Sequence, residues 1–480
     1  MNPNTPSRLL LAAPLALLLA ACAATPPEPA VTIALPASYA QAQGDWAPAQ
    51  ALAATPRGAW WSVFDDPVLA SLETQVAQHN QSLAAQLAAY EQAQAAVAQA
   101  QAAYYPAVTA GAAASRARIA NSGAVGNSLS ASLGASWEPD LWGKVRLQVQ
   151  AGQATAAVSA ATLANTQLSL QSTLATSYLQ LRTVDAQIKL AQDTVAAYQR
   201  ALQLTENRYK AGVDTAADVA QARTQLLQAQ TSLTDLGVTR AQLQNAIAVL
   251  VGKPPAEFAL PAVSTLPEVP AIPAGLPAQL LQRRPDLAAA QAQVAAANAQ
   301  IGVAQTAWFP NLTLSAQGGS QAARLAELFS APSLFWSLGP QLAATLFDGG
   351  LRRAQVESSK AAYRQTVATY RQSVLTALQQ VENNLAAQRI LAQEAQQQAA
   401  VVQAAEVSLR LAQNQYKAGT APYLNVITAQ TTLTSARNAQ LTLLNRRYAA
   451  SVGLIQALGG GWGEDNRPAI GPEPVGSSMR

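Results

Sequence analysis

Two hydrophobic periods alternate along this chain. From Gly143 to about Asn207, and again from Gly350 to about Asn414, apolar residues recur at helical spacing. The first stripe is Leu170, Leu174, Tyr178, Leu181, Val184 and Ile188; the second is Val367, Tyr370, Val374, Leu378, Val381 and Leu385. Proline is absent from both stretches, and Gly152 is the only glycine inside either. Each stretch of about 65 residues predicts a helix roughly 98 Å long at 1.5 Å per residue. The stripes are narrow and the remaining positions are mostly Gln, Ala, Ser and Thr. That pattern suits coiled-coil packing against neighbouring helices better than a thick globular core. A plain helical bundle is the simpler alternative, but ordinary globular helices run about 8–20 residues.

Between helices the period changes to two. Leu129, Ala131, Leu133, Ala135 and Trp137 alternate with Ser128, Ser130, Ser132, Gly134 and Ser136, and Leu312, Leu314 and Ala316 alternate with Thr313, Ser315 and Gln317. Weaker versions cover Val108 to Ser115 and Leu334 to Leu346. About ten alternating residues is the pattern of a transmembrane β-barrel strand. A soluble antiparallel sheet with one wet face alternates in the same way. Aromatic residues crowd the strand margins, at Tyr104, Tyr105, Trp137, Trp142, Trp308, Phe309, Phe335, Trp336 and Phe347, as interfacial girdles do.

The chain also repeats itself. Asn207-Arg208-Tyr209-Lys210-Ala211-Gly212-Val213 recurs as Asn414-Gln415-Tyr416-Lys417-Ala418-Gly419-Thr420, an offset of 207 residues. Each half reads as helix, aromatic-Pro break, strands, Gly-Arg start, very long helix, Tyr-x-x-Gly turn and helix. The domains expected are a signal over 1–21, an anchored extension over 22–67, repeats over 68–251 and 278–458, a Pro-rich linker over 252–277 that cannot be a helix, and a flexible tail over 459–480. Gly212 and Gly419 are expected in the left-handed conformation that ends a helix. Thr215-Ala216-Ala217-Asp218 reads as a capping box that restarts one.

Composition excludes several classes. One cysteine rules out a disulfide framework, and one histidine, His79, argues against most metal sites. Charged residues make up 12% and the net charge of +4 is spread without basic blocks, so nucleic-acid binding has little support. No nucleophile constellation or phosphate loop is present. Near the start, Arg8 precedes an apolar run that ends Leu19-Ala20-Ala21-Cys22, which reads as a secretory signal. A cysteine at the cut makes it look like a bacterial lipoprotein signal, with cleavage before Cys22 and lipid on its thiol; an ordinary cleaved signal is the alternative. Ala23 in place of Asp favours the outer membrane over the inner in that class.

No later stretch reaches the roughly 18 apolar residues of a membrane helix, so strands would have to do the spanning. Two per repeat give four per chain, and an open edge in lipid leaves backbone groups unpaired. Two chains would give eight strands and a filled lumen; three would give twelve and a pore.

The ordered set of motifs resembles the TolC-like outer-membrane efflux channels, specifically their lipoprotein branch. It comprises Cys22, Trp60-Trp61-Ser62-Val63-Phe64-Asp65-Asp66-Pro67, Arg283-Arg284-Pro285-Asp286-Leu287, Leu346-Phe347-Asp348-Gly349-Gly350 and the duplicated Tyr-Lys-Ala-Gly turns. The resemblance implies a mixed fold of helices and transmembrane strands. It would be a homotrimer with a 12-stranded outer-membrane β-barrel, four strands per chain, continued by a long periplasmic α-helical barrel. It implies a passive conduit that docks a periplasmic adaptor and an inner-membrane pump of the resistance-nodulation-division class and exports small molecules. No cofactor is expected beyond the covalent lipid at Cys22. Tyr209, Lys210, Gly212, Tyr416, Lys417 and Gly419 would form the periplasmic tip that docks the adaptor. In many relatives acidic residues ring the closed aperture; here those positions are Asn425 and Thr428, the turn carries Ala421 rather than a basic residue, and Asp218 remains as the ionisable group. A gate using polar side chains and Asp218 is therefore expected. Two rivals stay open: a type I protein secretion outlet with the same fold, and a pore-less periplasmic coiled-coil lipoprotein, which would not explain the alternating strands.

Overall fold

The computed structural model describes residues 35–36, 38–41, 59–118, 125–272 and 283–460. The signal, Cys22 and the tail beyond residue 460 lie outside the described residues. A 3-10 turn at Trp60–Phe64 leads into α1 (Pro67–His79) and α2 (Gln81–Ala102). Then come β1 (Ala107–Arg118), β2 (Val125–Trp137), α3 (Lys144–Lys210) and α4 (Ala216–Leu250). The second half holds α5 (Pro285–Thr306), β3 (Asn311–Ala322), β4 (Leu334–Ala343), α6 (Leu351–Lys417) and α7 (Tyr423–Ala457).

α3 and α6 are each 67 residues, about 100 Å at 1.5 Å per residue. Ala and Gln favour the helix, and many Thr hydroxyls are satisfied by donating to the carbonyl four residues earlier, as Thr155 to Ala151, Thr176 to Ser172 and Thr369 to Gln365. The sequence predicts one helix before the strands in each half. The first half has two, because the chain breaks at Asn80. The Asn80 side chain accepts from Leu83 N–H at 3.0 Å to cap α2 and donates to the Leu250 carbonyl at 2.8 Å. β4 also stops at Ala343, short of Leu346.

α3 packs against α4 and α5, α6 packs against α7 and α5, and α7 also meets α3. The main core sits midway along the long helices, where the 3-10 turn, α1 and the ends of α4 and α7 converge. Trp60, Leu69, Leu174, Tyr178, Ile247, Leu385 and Tyr448 are its largest buried members. The described part of the linker contains a single 3-10 turn, Pro255–Glu257. It is pinned across the helices by Asp185, whose carboxylate accepts from Arg240 at 2.7 Å and from Val263 N–H at 3.2 Å. Within the same core Glu73 is fully buried, and neither carboxyl oxygen has a hydrogen-bond partner among the described residues.

The four strands form one antiparallel sheet in the order β1-β2-β3-β4. Its register lines up one face. Val108 pairs with Ala135, which pairs with Ala316, which pairs with Leu338; Ala110 pairs with Leu133, then Gly318, then Trp336. That face is apolar and bare: Trp336 is 82% exposed, Leu338 76% and Leu342 67%. The opposite face carries Ser132, Ser136, Ser315, Gln317, Ser337 and Gln341. β1 and β4 are unpaired edges, and Pro340, which lacks an N–H, lies on the edge strand β4. No described helix is long and apolar enough to cross a membrane.

The junction between sheet and helices is built from the aromatic-Pro breaks. Trp142 stacks on Phe309 at 5.0 Å and its ring N–H donates to Pro310 O at 2.6 Å. Asp140 caps α3 through Val145 N–H and Arg146 N–H, both at 2.9 Å. Asp348 does the same for α6 through Gly350 N–H and Arg352 N–H, and binds the Arg352 guanidinium at 2.6 Å.

Candidate functional site

The far ends of the long helices carry the residues that the sequence singles out. α3 and α6 close with the same hydrogen-bond pattern. Gly212 N–H donates to Tyr209 O and Val213 N–H to Arg208 O; Gly419 N–H donates to Tyr416 O and Thr420 N–H to Gln415 O. This is the Schellman closure, which needs a left-handed residue. Gly212 has φ +76 and Gly419 φ +75. α4 restarts through a capping box: Thr215 Oγ1 accepts from Asp218 N–H at 3.2 Å and Thr215 N–H donates to the Asp218 carboxylate at 3.0 Å. The Thr215 hydroxyl donates to that carboxylate at 2.7 Å. Those bonds, the hydroxyl first and the N–H second, hold the Asp218 carboxyl below its ordinary range.

The two repeats are not equivalent here. Tyr209 is 49% exposed, and Lys210, Gly212, Lys417 and Gly419 are exposed with it. Tyr416, its repeat partner, is 4% exposed. The Tyr416 hydroxyl donates to Asp214 at 2.5 Å, and Arg208 Nε donates to the same carboxylate at 3.1 Å. The Arg208 guanidinium lies 4.6 Å over the Tyr416 ring, and Tyr423 packs against that ring at 5.4 Å. Burial, with Asp214 adding to it, raises the phenol of Tyr416 above its ordinary range, so it stays neutral and a donor. Tyr416 thus faces the protein rather than solvent. The tip is asymmetric where the duplicated motif predicts symmetry.

An apolar cluster of Ala222, Ala412, Tyr416, Tyr423, Val426 and Ile427 surrounds this link and ties the first hairpin to the second. Farther from the tip α4 and α7 part around a cleft of about 630 Å³ floored by Thr194 and Tyr198. Asn425 and Thr428 lie on the exposed side of α7, and the Thr428 hydroxyl is bonded to Leu424 O at 2.9 Å. From Tyr423 to Ala436 α7 carries no charged residue. Reading the repeats for their likeness missed Arg208, Asp214 and Tyr423. The signal that finds two of them is where the repeats differ in charge, Arg208 against Gln415 and Asp214 against Ala421. Among the described residues no cluster of His, Cys, Asp or Glu could hold a metal ion.

A four-stranded wall with a bare apolar face, carried on 100 Å helices that end in linked turns, defines a subunit of a membrane channel. The chain belongs to the outer membrane efflux protein family, whose model matches residues 72–253 and 276–460. It is 33% identical over 482 residues to the antibiotic efflux pump outer membrane protein ArpC of Pseudomonas putida, covering 98% of this chain and 99% of that one. It is 34% identical over 464 residues to the pyoverdine export outer membrane protein OpmQ of Pseudomonas aeruginosa, covering 94% and 96%. The crystal structure of the open state of the MtrE outer membrane channel of Neisseria gonorrhoeae superimposes with a TM-score of 0.81 at 26% identity, covering 92% of this chain and 98% of that one.

Proposed function

We propose that three copies of this chain close a 12-stranded barrel in the outer membrane of a Gram-negative bacterium and form a passive conduit of a tripartite efflux system. The helices continue the duct through the periplasm to a periplasmic adaptor and an inner-membrane pump of the resistance-nodulation-division class, which sends small molecules outward. The carrying observation is the sheet. Its apolar face exposes Leu133, Trp336, Leu338 and Leu342 in one chain, which suits contact with lipid, and its two open edges need partners there. Eight strands from two chains would fill the lumen with side chains, whereas twelve leave a pore. The helices favour self-association too. Leu227, Val238 and Val249 recur every 11 residues, about three turns, on one exposed side of α4, and α6 exposes Leu375, Ile390, Val401 and Leu411. The chain does no chemistry in this reading. Lipid on Cys22 supplies a second anchor.

Tyr209, Lys210, Gly212, Lys417 and Gly419 form the exposed rim that meets the adaptor. Tyr416, Arg208 and Asp214 hold the hairpins together behind it. Asp218, Asn425 and Thr428 border the aperture. The test has two readouts. Native mass in detergent, corrected for the micelle, should equal three chains and the trimer should co-purify with its adaptor. Deleting the gene should sensitise cells to exported compounds, with rescue by the intact chain. A stable monomer or dimer would overturn the architecture, and export of a protein rather than small molecules would favour a secretion outlet.

A further inference from the structure

The apolar face of the sheet ends in a pair of cations. On β1 that face carries Val108, Ala110, Ala112 and Ala114, and by the same alternation Arg116 and Arg118, which pair with Asn127 and Val125 of β2. Both arginines are exposed. They stand at the end of the hairpin remote from the helices, since β1 starts from α2 at Ala107 and β2 ends toward α3 at Trp137. Trp137 marks the helix side, where its ring N–H donates to Tyr104 O at 3.0 Å. From Trp137 to Asn127, opposite Arg116, β2 runs ten residues, about 34 Å along the strand. At the tilt of about 35–45° that barrel strands adopt, this is a height of about 24–28 Å, against about 25 Å for a lipid-facing apolar band. Arg116 therefore lies at the outer margin of the band and Arg118 just beyond it.

We propose that Arg116 and Arg118 hold a phosphate group of the glycolipid in the outer leaflet. This rests on the outer-membrane barrel proposed above. An arginine on a lipid-facing surface is costly at mid-depth and nearly free at the interface, where its stem lies along the apolar face and its guanidinium reaches the headgroups. Two residues apart on one strand, the Cα atoms of the arginines are about 7 Å apart, so both planar forks can converge on one phosphate, each through two parallel N–H groups. Asn127 adds an amide beside Arg116. From Pro106 to Trp137 the sequence holds these two arginines and no lysine or acidic residue, so the hairpin supplies no carboxylate to compete with the phosphate. The second hairpin differs, because Arg324 there already pairs with Glu327 at 3.6 Å. β1 is an edge of the sheet, so in a closed trimer the three lipid sites lie at the seams between copies.

The test is native mass spectrometry of the full-length channel in detergent with EDTA, so that no divalent cation bridges. It is titrated with lipid A that carries two phosphates and with the same lipid dephosphorylated. The unaltered trimer should bind three copies of the phosphorylated lipid more tightly than the dephosphorylated one. Arg116→Gln and Arg118→Gln should each weaken binding of the phosphorylated lipid about fivefold, and the pair about 25-fold, leaving the dephosphorylated lipid unchanged. Arg116→Lys with Arg118→Lys keeps the charge and should restore part of the affinity. Arg324→Gln should have no effect. Equal binding of the two lipids to the unaltered trimer, or full affinity in the double Gln variant, would overturn the site. An equal loss in Arg324→Gln would reduce it to diffuse attraction and overturn it as well. Trimers that fall apart in the double Gln variant, while the remainder keep the lipid preference, would assign the arginines to an ion pair with Glu327 of a neighbouring copy instead. The same spectra count chains. Absence of a trimer in the unaltered protein would sink the barrel reading and the site with it, whereas a trimer without a phosphate preference sinks only the lipid site.

Discussion

The Tyr416 hydroxyl donates to Asp214 across 2.5 Å, joining the turn of the second repeat to that of the first. Arg208 grips the same carboxylate, so one half-buried anion links both helical hairpins of a protomer. A hydrogen bond to a charged acceptor contributes roughly 1.5–3 kcal/mol. Tyr416→Phe should loosen the tip and raise single-channel conductance in planar bilayers without changing trimer mass. Asp214→Asn should act in the same direction, and the double variant should fall short of the sum, since both changes break one contact. Conductance equal to that of the unaltered channel in both variants would remove this link from the gate.

The buried carboxyl of Glu73 should make stability pH-dependent. Burial pushes it up to about 9. Its folded value lies above its unfolded one, so its contribution is complete below the ordinary carboxylate range near 4.5 and is lost as pH rises toward 9. The slope is about 1.4 kcal/mol per pH unit. Glu73→Gln removes the titration. Thermal unfolding at pH 5 and pH 8 should show the variant gaining on the parent at the higher pH. Parallel curves would mean that the carboxyl finds a partner in the assembled protein.

On the sheet, Leu338→Arg puts a cation in the middle of the bare face, at a cost of roughly 2–4 kcal/mol if that face meets the bilayer core. Membrane-inserted trimer should fall sharply in outer-membrane fractions. Ser337→Arg, one residue away on the other face, should be tolerated. Equal yields from the two variants would sink the assignment of faces.

At Gly419 a side chain meets nothing within 4 Å, so only the backbone opposes it. Holding an L-residue at φ +75 costs about 1–2 kcal/mol. Gly419→Val should distort the turn and abolish export while trimers still assemble, whereas Gly419→Asn, which tolerates the left-handed region, should keep most activity. Full export by Gly419→Val would place the working end elsewhere.

Asp218 contributes its cap above the unfolded carboxylate range and loses it only as pH falls through its depressed folded value. The cap is therefore intact at neutral and mildly acid pH. Asp218→Asn should alter conductance or its response to divalent cations, because three ionised copies around one axis repel and cations relieve that repulsion. An unaltered cation response would separate the cap from the aperture.

Local physics made much of this protein legible from sequence. A 3.6-residue period sustained over 65 residues without proline is a long helix whatever surrounds it, a two-residue period is a strand, and the residue after Tyr-Lys-Ala is glycine because the helix must end left-handed there. Tertiary structure decided what depends on residues far apart in the chain. Asn80 breaks a helical pattern because Leu250, 170 residues away, offers its carbonyl. The apolar face of the sheet is bare because no other described element covers it; alternation alone is the same for a wet sheet and a lipid-facing one. Tyr209 and Tyr416 stand in the same motif, yet one faces solvent and the other is buried. Only the second meets an anion from the other repeat, and its partner Asp214 lies 202 residues away.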